Sequence, residues 1–449
     1  MSNDFVTKYG DARLPRYTSY PTAPKFSDTI GSTEYVDWIK GIGAGATSLY
    51  LHIPFCRSMC WYCGCHTTIT ERDQPILDYL DVLHREIELV SQATSSPLDV
   101  KEIHFGGGTP TIIKPHEFAA LMQRLRGRFA VRPDSNVSVE IDPRTLTADM
   151  ASALGESGVT RASLGVQSFD PVVQKAINRI QSEETTDLTV RLLRDSGIAR
   201  INFDLIYGLP HQTVDSCVET VRASLVMRPD RFAVFGYAHI PTFKKHQRLI
   251  DENALPGAEA RNEQAEAIAE ALIAAGYRRI GLDHFALPDD ELARASDTGK
   301  LRRNFQGYTT DDCENLLGFG ASAIGRLHDG YVQNEVPPGL YAKRVASGSL
   351  ATAKGYRLTA EDRLRAHVIE RLMCDFAVDV PAISVFHGFQ PDFLLQGNAR
   401  LFAMVEDGVI TEKDGVISMD EANRFMIRAV ASAFDAYLAD TQRTFSKAA

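Results

Sequence analysis

The sequence lacks any run of about 18 apolar residues, so no segment is long enough to cross a membrane as a helix. Its amino terminus lacks the apolar core and small-residue cleavage site of a secretory signal, and we therefore expect a cytoplasmic protein. An excess of positive charge is also missing, because 48 basic residues stand against 58 acidic ones for a net charge of −10. General nucleic-acid and membrane-surface binders need a basic face, so both classes are excluded.

The overall composition is that of an ordinary globular protein. The 449 residues are 44% apolar and 24% charged, a length that predicts two or three domains. Internal repeats and low-complexity segments are absent. Nothing in the sequence indicates an obligate partner chain, so we expect a monomer.

Short apolar segments alternate with amphipathic helical segments between residue 48 and about residue 240. Repeated strand–helix units of this kind predict an α/β fold with a parallel sheet. Six units are fewer than a full eight-stranded barrel needs, so we favour a partial (β/α)6 TIM-like barrel, with a doubly wound sheet as the alternative. The predicted strands are 48–53, 100–105, 136–141, 161–166, 201–207 and 232–240.

The two ends of the chain have different patterns. Residues 1–47 form an arm containing "PRYTSYPTA", whose prolines favour extended structure or turns. Residues 291–449 contain the helical patterns "TAEDRLRAHVIERLMCDF" and "EANRFMIRAVASAFDAYLAD", with a hairpin signal at Asp414-Gly415. Helices with a hairpin suggest a winged-helix DNA reader, but residues 360–449 are more acidic than basic, so we predict a mainly helical accessory domain. The expected division is 1–47, 48–290 and 291–449.

Four of the seven cysteines lie in "CRSMCWYCGCH", residues 56–66. A disulfide framework is excluded because such frameworks belong to small secreted chains. Structural zinc usually needs a second, distant ligand pair, which is missing, although His66 next to Cys65 keeps a zinc site open. A thioredoxin-like dithiol in "CWYC" would leave Cys56 and Cys65 unexplained.

The spacing C-x3-C-x2-C favours a [4Fe–4S] cluster held by three thiolates. Clusters that only carry electrons usually have four cysteine ligands. Three ligands leave one iron open to a substrate or cofactor, as an open zinc site does.

Several polar or glycine-rich motifs follow the predicted strands directly. They are "FGGGTP", "EIDPR", "GVQSF", "DLIYGLP" and "YAHIP", and the cysteine motif itself follows the first strand. Ligands bind at the carboxyl ends of strands in parallel α/β folds, so one shared site at this edge is expected.

Together with "PRYTSYPTA", "DHFALPDDELA" and "NFQGYTT", these motifs resemble the oxygen-independent coproporphyrinogen III oxidase family of the radical S-adenosylmethionine (SAM) superfamily. The resemblance covers nearly the whole chain. It implies a barrel of the radical SAM type, one [4Fe–4S] cluster and two SAM molecules. The cluster and the first SAM would generate a 5′-deoxyadenosyl radical, and the tetrapyrrole coproporphyrinogen III would lose two propionate carboxyls to give the two vinyl groups of protoporphyrinogen IX in haem biosynthesis.

The resemblance also implies site residues. Cys56, Cys60 and Cys63 would ligate the cluster, and Cys65 is a fourth thiol without an assigned role. No residue is assigned as a catalytic acid or base. Cofactor contacts are implied at Tyr50, Gly107, Glu140 and Ile324 for the cluster-bound SAM, and at Tyr62, Gly108, Thr109, Gln167, Arg179, Asp204 and Ala238 for the second SAM.

A tetracarboxylate substrate needs cationic anchors, and the planar arginine side chain suits carboxylates. Candidates are Arg13 and Arg16 in the arm and the pair Arg302-Arg303. We hypothesise that Arg16 and Tyr17 face the substrate; the alternative is that "PRYTSYP" only packs the arm. The electron donor and final acceptor are not readable from the sequence.

Three other functions stay open. Haem-binding chaperones related to this family keep the three-cysteine motif but generally lack the arm and the fourth cysteine. A radical enzyme that opens or methylates haem, and a zinc-stabilised structural protein, are the others. Haem binding without turnover of coproporphyrinogen would favour the chaperone. Product analysis separates the haem-modifying enzyme from decarboxylation, and the absorbance of an iron–sulfur cluster separates the zinc protein.

Overall fold

The computed structural model describes residues 8–9 and 13–438, which form two compact units. The first, here called the sheet unit, comprises residues 27–275 and 313–357. The second unit comprises the described residues up to 26, together with 276–312 and the chain from 358 onward. The division into 1–47, 48–290 and 291–449 stays a prediction about domains. The units differ from it because residues 313–357 add strands to the sheet and so belong to the sheet unit.

Six parallel strands form the centre of the sheet unit, each hydrogen-bonded to the next in chain order. This sequential order confirms the partial barrel, because a doubly wound sheet reverses its strand order at a switch point. All six predicted strand segments are present, although the sixth strand ends at Gly236 and not at residue 240. The strands are β1 (Thr47–Ile53), β2 (Asp99–Gly107), β3 (Ala130–Ile141), β4 (Arg161–Gln167), β5 (Arg200–Tyr207) and β6 (Arg231–Gly236).

Four further strands extend this sheet beyond β1. The strand β7 (Asn315–Phe319) pairs with β1 in parallel and is buried throughout. It is followed by an antiparallel series, and sequence patterns predicted none of these strands. The series is β8 (Ile324–Leu327), β9 (Gly330–Asn334) and β10 (Thr352–Arg357).

Amphipathic helices connect the parallel strands and bury their apolar faces. Several begin at the residue types that cap helices well, since Thr147, Ser182 and Thr213 each accept a hydrogen bond from a first-turn N–H. The α-helices of the sheet unit are Ser32–Lys40, Gln74–Ala93, Pro115–Arg128, Ala148–Glu156, Pro171–Ala176, Glu183–Asp195, Val214–Val226, Ala258–Ala274 and Pro338–Ala346. Short 3₁₀ helices and strands complete it at Pro110–Ile112, Lys245–Leu249, Glu252–Ala254, Phe55–Cys56 and Thr68–Ile69.

The second unit combines helices with short antiparallel strands, and its core includes Leu14, Tyr17 and Tyr20 of the arm. The predicted hairpin is present, with Asp414 and Gly415 both at positive φ. Its α-helices are Glu291–Asp297, Ala360–Asp375, Val380–Phe386, Ala399–Glu406 and Ile427–Ala431, and a 3₁₀ helix lies at Ala23–Lys25. Its strands are Arg278–Ile280, His284–Ala286, Arg302–Asn304, Gly307–Thr309, Ala377–Asp379, Thr411–Lys413 and Val416–Ser418.

One helical prediction in this unit was wrong in detail. The pattern "EANRFMIRAVASAFDAYLAD" predicted a single amphipathic helix, and its last two residues lie outside the described part of the chain. The structure has three short pieces instead: Glu421–Met426 and Ser432–Phe434 are 3₁₀ helices on either side of Ile427–Ala431. Every residue of that central piece is buried, so packing on all sides overrides the helical periodicity.

None of the described helices is both long and apolar enough to span a membrane.

Candidate active site

The cysteine motif forms a loop at the carboxyl end of β1. Cys56 ends the short strand Phe55–Cys56, which pairs in parallel with Thr68–Ile69 and so joins the two ends of the loop. Cys60 is buried, Cys56 and Cys63 are half-buried, and Cys65 is exposed. The three thiols of C-x3-C-x2-C are therefore more enclosed than the fourth.

Each of these three thiols has a different polar neighbour. Sγ of Cys56 lies 3.3 Å from Oγ1 of Thr109, and the backbone N–H of Cys65 donates to Sγ of Cys63 at 3.4 Å. Burial raises the pKa of Cys56 to about 12. The pKa of Cys63 is instead lowered, because the side chain and backbone N–H of Cys65 both hydrogen-bond to it.

Two guanidinium groups lie beside Cys60, at 3.6 Å for Arg144 Nη2 and 3.5 Å for Arg179 Nη1. The carboxylate of Asp142 accepts hydrogen bonds from both arginines, at 2.6 Å from Arg144 and at 3.3 Å from Arg179. Burial alone would raise the pKa of Asp142, but the two arginines outweigh it and the pKa is lowered. Positive charge therefore lies directly against the sulfur of Cys60.

Gly106 and Gly107 end β2 against the cysteine loop, and Gly108 follows directly. A Cβ at Gly108 would lie 2.5 Å from the carbonyl oxygen of Phe55. A Cβ at Gly106 would lie 2.8 Å from Oε1 of Glu140, and Gly107 has a φ of +119°, which disfavours any side chain. No larger residue fits here, so the backbone of this strand end carries no side chains.

Glu140 lies on β3 next to this bare strand end. Its Oε2 accepts a hydrogen bond from the N–H of Gly107 at 3.0 Å, and its Oε1 lies 3.3 Å from Nε2 of His104. Burial alone would raise the pKa of Glu140, but His104 and the Gly107 N–H outweigh it and lower the pKa. The ring of Tyr50 stacks on His104 at 5.8 Å, and its hydroxyl lies 2.9 Å from Nδ1 of His52. Glu140 is therefore ionised and held in one orientation.

A second polar group lies along β4 and β5. Ser163 and Asn202 donate to the carboxylate of Asp204 at 3.1 and 2.8 Å, while burial and the charge of Glu140 raise its pKa to about 7. Oε1 of Gln167 and Nε of Arg179 are buried without a hydrogen-bond partner among the described residues. Buried polar atoms are rarely left unpaired, so these two atoms fit contacts with a polar ligand.

The predicted site residues all lie in the sheet unit, apart from those offered as substrate anchors. Tyr50, Gly107, Glu140 and Gln167 lie on strands β1 to β4, while Ile324 begins β8, whose strand sequence patterns missed. Sequence reasoning also missed the roles of Asp142, Arg144 and His104. The motif "EIDPR" contains the first two and marked the right strand end, but it gave no sign of contact with Cys60.

The residues fit the groups that the three-cysteine spacing implies. Three thiols from one loop, one of them beside two guanidiniums, suit the soft-ligand chemistry of a [4Fe–4S] cluster. The ionised Glu140 beside a side-chain-free strand end suits a cationic amino group, as in SAM. The unpaired atoms of Gln167 and Arg179 suit a further polar ligand.

Comparison with known proteins places this geometry in a class. Residues 50–223 match the model of the radical SAM superfamily, a range that runs from β1 through β5 and contains the cysteine loop. The fold and the three-thiol site therefore define a radical SAM protein.

Full-length relatives narrow the class. Oxygen-independent coproporphyrinogen III oxidase of Bradyrhizobium diazoefficiens is 58% identical over 100% of both chains. The enzyme of the same name from Paracoccus denitrificans is 42% identical over 95% of each. The solved structure of coproporphyrinogen III oxidase from Escherichia coli, a radical SAM enzyme, matches with a TM-score of 0.90 and 36% sequence identity. The match covers 95% of this chain and 100% of that structure. The chain belongs to the family of oxygen-independent coproporphyrinogen III oxidases.

Proposed function

We propose that this protein converts two propionate side chains of coproporphyrinogen III to vinyl groups without oxygen, giving protoporphyrinogen IX in haem biosynthesis. The observation that carries the proposal is the cysteine loop at the end of β1, whose first three thiols are more enclosed than the fourth and whose Phe55 backbone lies against Gly108. Full-length relatives with this activity in their names support the same reaction.

Cys56, Cys60 and Cys63 would hold a [4Fe–4S] cluster. When bound, the cluster and SAM supply a 5′-deoxyadenosyl radical that can remove hydrogen from a propionate side chain. Glu140 would bind the SAM ammonium through its fixed carboxylate, and the bare backbone at Gly107 lets that ligand approach closely. Tyr50 and Ile324 would complete the contacts of this first SAM.

A second SAM would bind along β4 and β5. The unpaired Nε of Arg179 is suited to a carboxylate, although its Nη atoms already contact Asp142. Asp204 would accept hydrogen bonds from ribose hydroxyls. The remaining proposed contacts are Tyr62, Gly108, Thr109, Gln167 and Ala238.

The candidate substrate anchors of the second unit differ in their ion pairs. Arg302 is paired with Glu370 at 3.1 Å, so part of its charge is already neutralised. Arg303 is buried over the ring of Tyr308, its Nη1 lies at a longer 4.0 Å from Asp283, and its Nε has no hydrogen-bond partner among the described residues. We therefore favour Arg303 over Arg302 as an anchor for a substrate carboxylate.

The two candidate residues of the arm, Arg16 and Tyr17, also differ in their surroundings. Tyr17 is buried in the core of the second unit and donates to Asp435 at 3.0 Å, which favours packing over substrate contact. Arg16 is exposed and stays a proposed anchor. Deleting the arm would remove Leu14, Tyr17 and Tyr20 from that core, so Arg16→Ala is the cleaner test of substrate binding. It should raise KM for coproporphyrinogen III while SAM binding stays unchanged.

An anaerobic assay with coproporphyrinogen III, SAM and a chemical reductant tests the proposal. Wild type should release protoporphyrinogen IX, and Cys60→Ala should not. Haem binding by the wild type without any turnover would contradict the proposal and favour the chaperone function.

A further inference from the structure

A short turn after β6 holds the cysteine loop in place through its side chains. The turn contains the 3₁₀ helix Lys245–Leu249, which begins directly after Lys244. Three of its side chains donate to three different backbone carbonyls of the loop. The bonds are Lys244 Nζ to Cys65 O at 3.0 Å, His246 Nε2 to Cys63 O at 2.7 Å and Gln247 Nε2 to Tyr62 O at 3.0 Å. We call residues 244–247 the clamp turn.

Gln247 makes the most extensive of these contacts. Its side chain is 1% exposed, and its amide nitrogen also lies 3.3 Å from the carbonyl oxygen of Ala238. Its amide oxygen accepts from the N–H of Ile240 at 2.6 Å. One side chain therefore ties the cysteine loop, through Tyr62, to the segment that follows β6, through Ala238.

The carbonyls of Tyr62 and Ala238, which both accept from the Gln247 amide, belong to residues that share one proposed role. Tyr62 and Ala238 are both proposed contacts of the second SAM, and they come from parts of the chain far apart in sequence. Their separation depends on the Gln247 amide, because a buried primary amide can donate to both carbonyls at once. His246 and Lys244 act further along the loop, at the last cluster ligand and at Cys65.

We infer that Gln247 is a positioning residue for the second SAM site, and that Lys244 and His246 hold the cluster-binding part of the same loop. This inference rests on the proposed function, since it assigns residues to the two sites proposed there. The side chains of the clamp turn contact two different parts of the cysteine loop. Gln247 sets the position of Tyr62 at the second SAM, and the other two side chains restrain Cys63 and Cys65.

The substitution Gln247→Glu tests the first half. Glutamate keeps an acceptor for the Ile240 N–H but places an oxygen against the carbonyls of Tyr62 and Ala238. The reconstituted holoenzyme is studied by anaerobic equilibrium dialysis with isotope-labelled SAM, and its iron content is measured in parallel. We expect one of the two SAM sites to lose about 10-fold or more in affinity, the size of effect that the loss of hydrogen bonds near 1.4 kcal/mol gives. Iron content and the affinity of the other site should stay as in wild type.

The outcomes separate the inference from the function it rests on. A wild type that binds one SAM per chain contradicts the proposed second site itself. Two sites in the wild type with unchanged affinities in Gln247→Glu overturn the positioning role. Loss of iron and of both SAM sites together overturns it as well, because the effect would then be a collapse of the loop.

The second half is tested by iron release to a chelator under anaerobic conditions. Lys244→Met and His246→Ala should release iron several-fold faster than wild type, with an altered electron paramagnetic resonance spectrum of the reduced cluster. Lys245→Met, at an exposed position of the same turn, is the matched control and should behave as wild type. Equal release rates in all four proteins would overturn the restraint on Cys63 and Cys65.

Discussion

The carboxylate of Glu140 accepts a hydrogen bond from the backbone N–H of Gly107 at 3.0 Å, across the carboxyl ends of the neighbouring strands β3 and β2. The bond fixes a negative charge beside a strand end that tolerates no side chain, since Gly107 has positive φ and a Cβ on Gly106 would meet Glu140 itself. A cationic group that reaches this strand end meets an ionised carboxylate directly. This relationship is the basis for placing the SAM ammonium here.

Glu140→Gln should weaken SAM binding at the cluster while leaving the cluster itself in place. The amide keeps the shape of the side chain but removes the charge, and hydrogen bonds to charged groups contribute about 1.5–3 kcal/mol, or roughly 10- to 100-fold in affinity. Anaerobic equilibrium dialysis with iron analysis measures both quantities. Glu102→Gln is the control, because Glu102 lies near the other end of β2 and bonds to Asn136. Unchanged SAM affinity in Glu140→Gln would remove Glu140 from the site.

The four thiols of the loop should divide into three ligands and one non-ligand. Cys56→Ala, Cys60→Ala and Cys63→Ala should each lose most of the iron and the absorbance near 400 nm of the reconstituted protein. Cys65→Ala should keep both, because Cys65 is the exposed thiol and reaches Cys63 only as a hydrogen-bond donor. Iron loss in Cys65→Ala equal to that in Cys60→Ala would contradict this division.

Gly108→Ala should damage the protein far more than the same change elsewhere. Its Cβ would lie 2.5 Å from a backbone oxygen of Phe55, which cannot move without shifting Cys56. Overpacking of this kind costs about 1–3 kcal/mol, and we expect a loss of that size in the free energy of unfolding, together with reduced iron content. Gly127→Ala is the matched control, since Gly127 lies in the helix Pro115–Arg128 with open space at its Cβ. It should be neutral or stabilising by up to about 1 kcal/mol.

Local patterns predicted the centre of the sheet unit because each parallel strand there is a short apolar run followed by an amphipathic helix. They failed for Asn315–Phe319, which pairs with β1 across more than 260 residues of intervening chain. The segment "NLLGF" does not indicate which strand it pairs with. The pairing depends on which strand of the assembled sheet has an open edge, and a local sequence pattern carries no information about that.

The same distinction between local and long-range information applies to the candidate site. Cysteine spacing and the motif "FGGGTP" are local, so the ligand loop and the bare strand end were predicted. The contacts of Arg144 with Cys60 and of Gln247 with Tyr62 join segments about 80 and 185 residues apart. An isolated Arg or Gln in a loop has too many possible partners for its sequence to indicate one.

Glu86 should make the stability of the sheet unit depend on pH between about 4.5 and 7. Its carboxyl is 2% exposed and accepts hydrogen bonds from the N–H of Gly320, the amide of Asn334 and the hydroxyl of Tyr341. Burial nevertheless raises its pKa from 4.5 to about 7, so the folded protein holds this proton more tightly than the unfolded chain. The associated stability is present below the unfolded pKa and is lost as pH rises through the folded value, about 3 kcal/mol in total.

Glu86→Gln removes this titration, and the free energies of unfolding of the two proteins measure it. The introduced amide would turn its hydrogens toward groups that are themselves donors, so the variant should be less stable than wild type at pH 5. Its disadvantage should shrink by up to about 3 kcal/mol by pH 8, because only the wild type must then bury a charge. Tyr341→Phe is the control: it keeps the carboxyl but loses a hydrogen bond that lowers the pKa of Glu86, so its pH dependence should persist and extend to higher pH. Parallel pH curves for wild type and Glu86→Gln would show that Glu86 is not the titrating group. Anaerobic chemical denaturation followed by circular dichroism, at pH values from 5 to 8, distinguishes the two results.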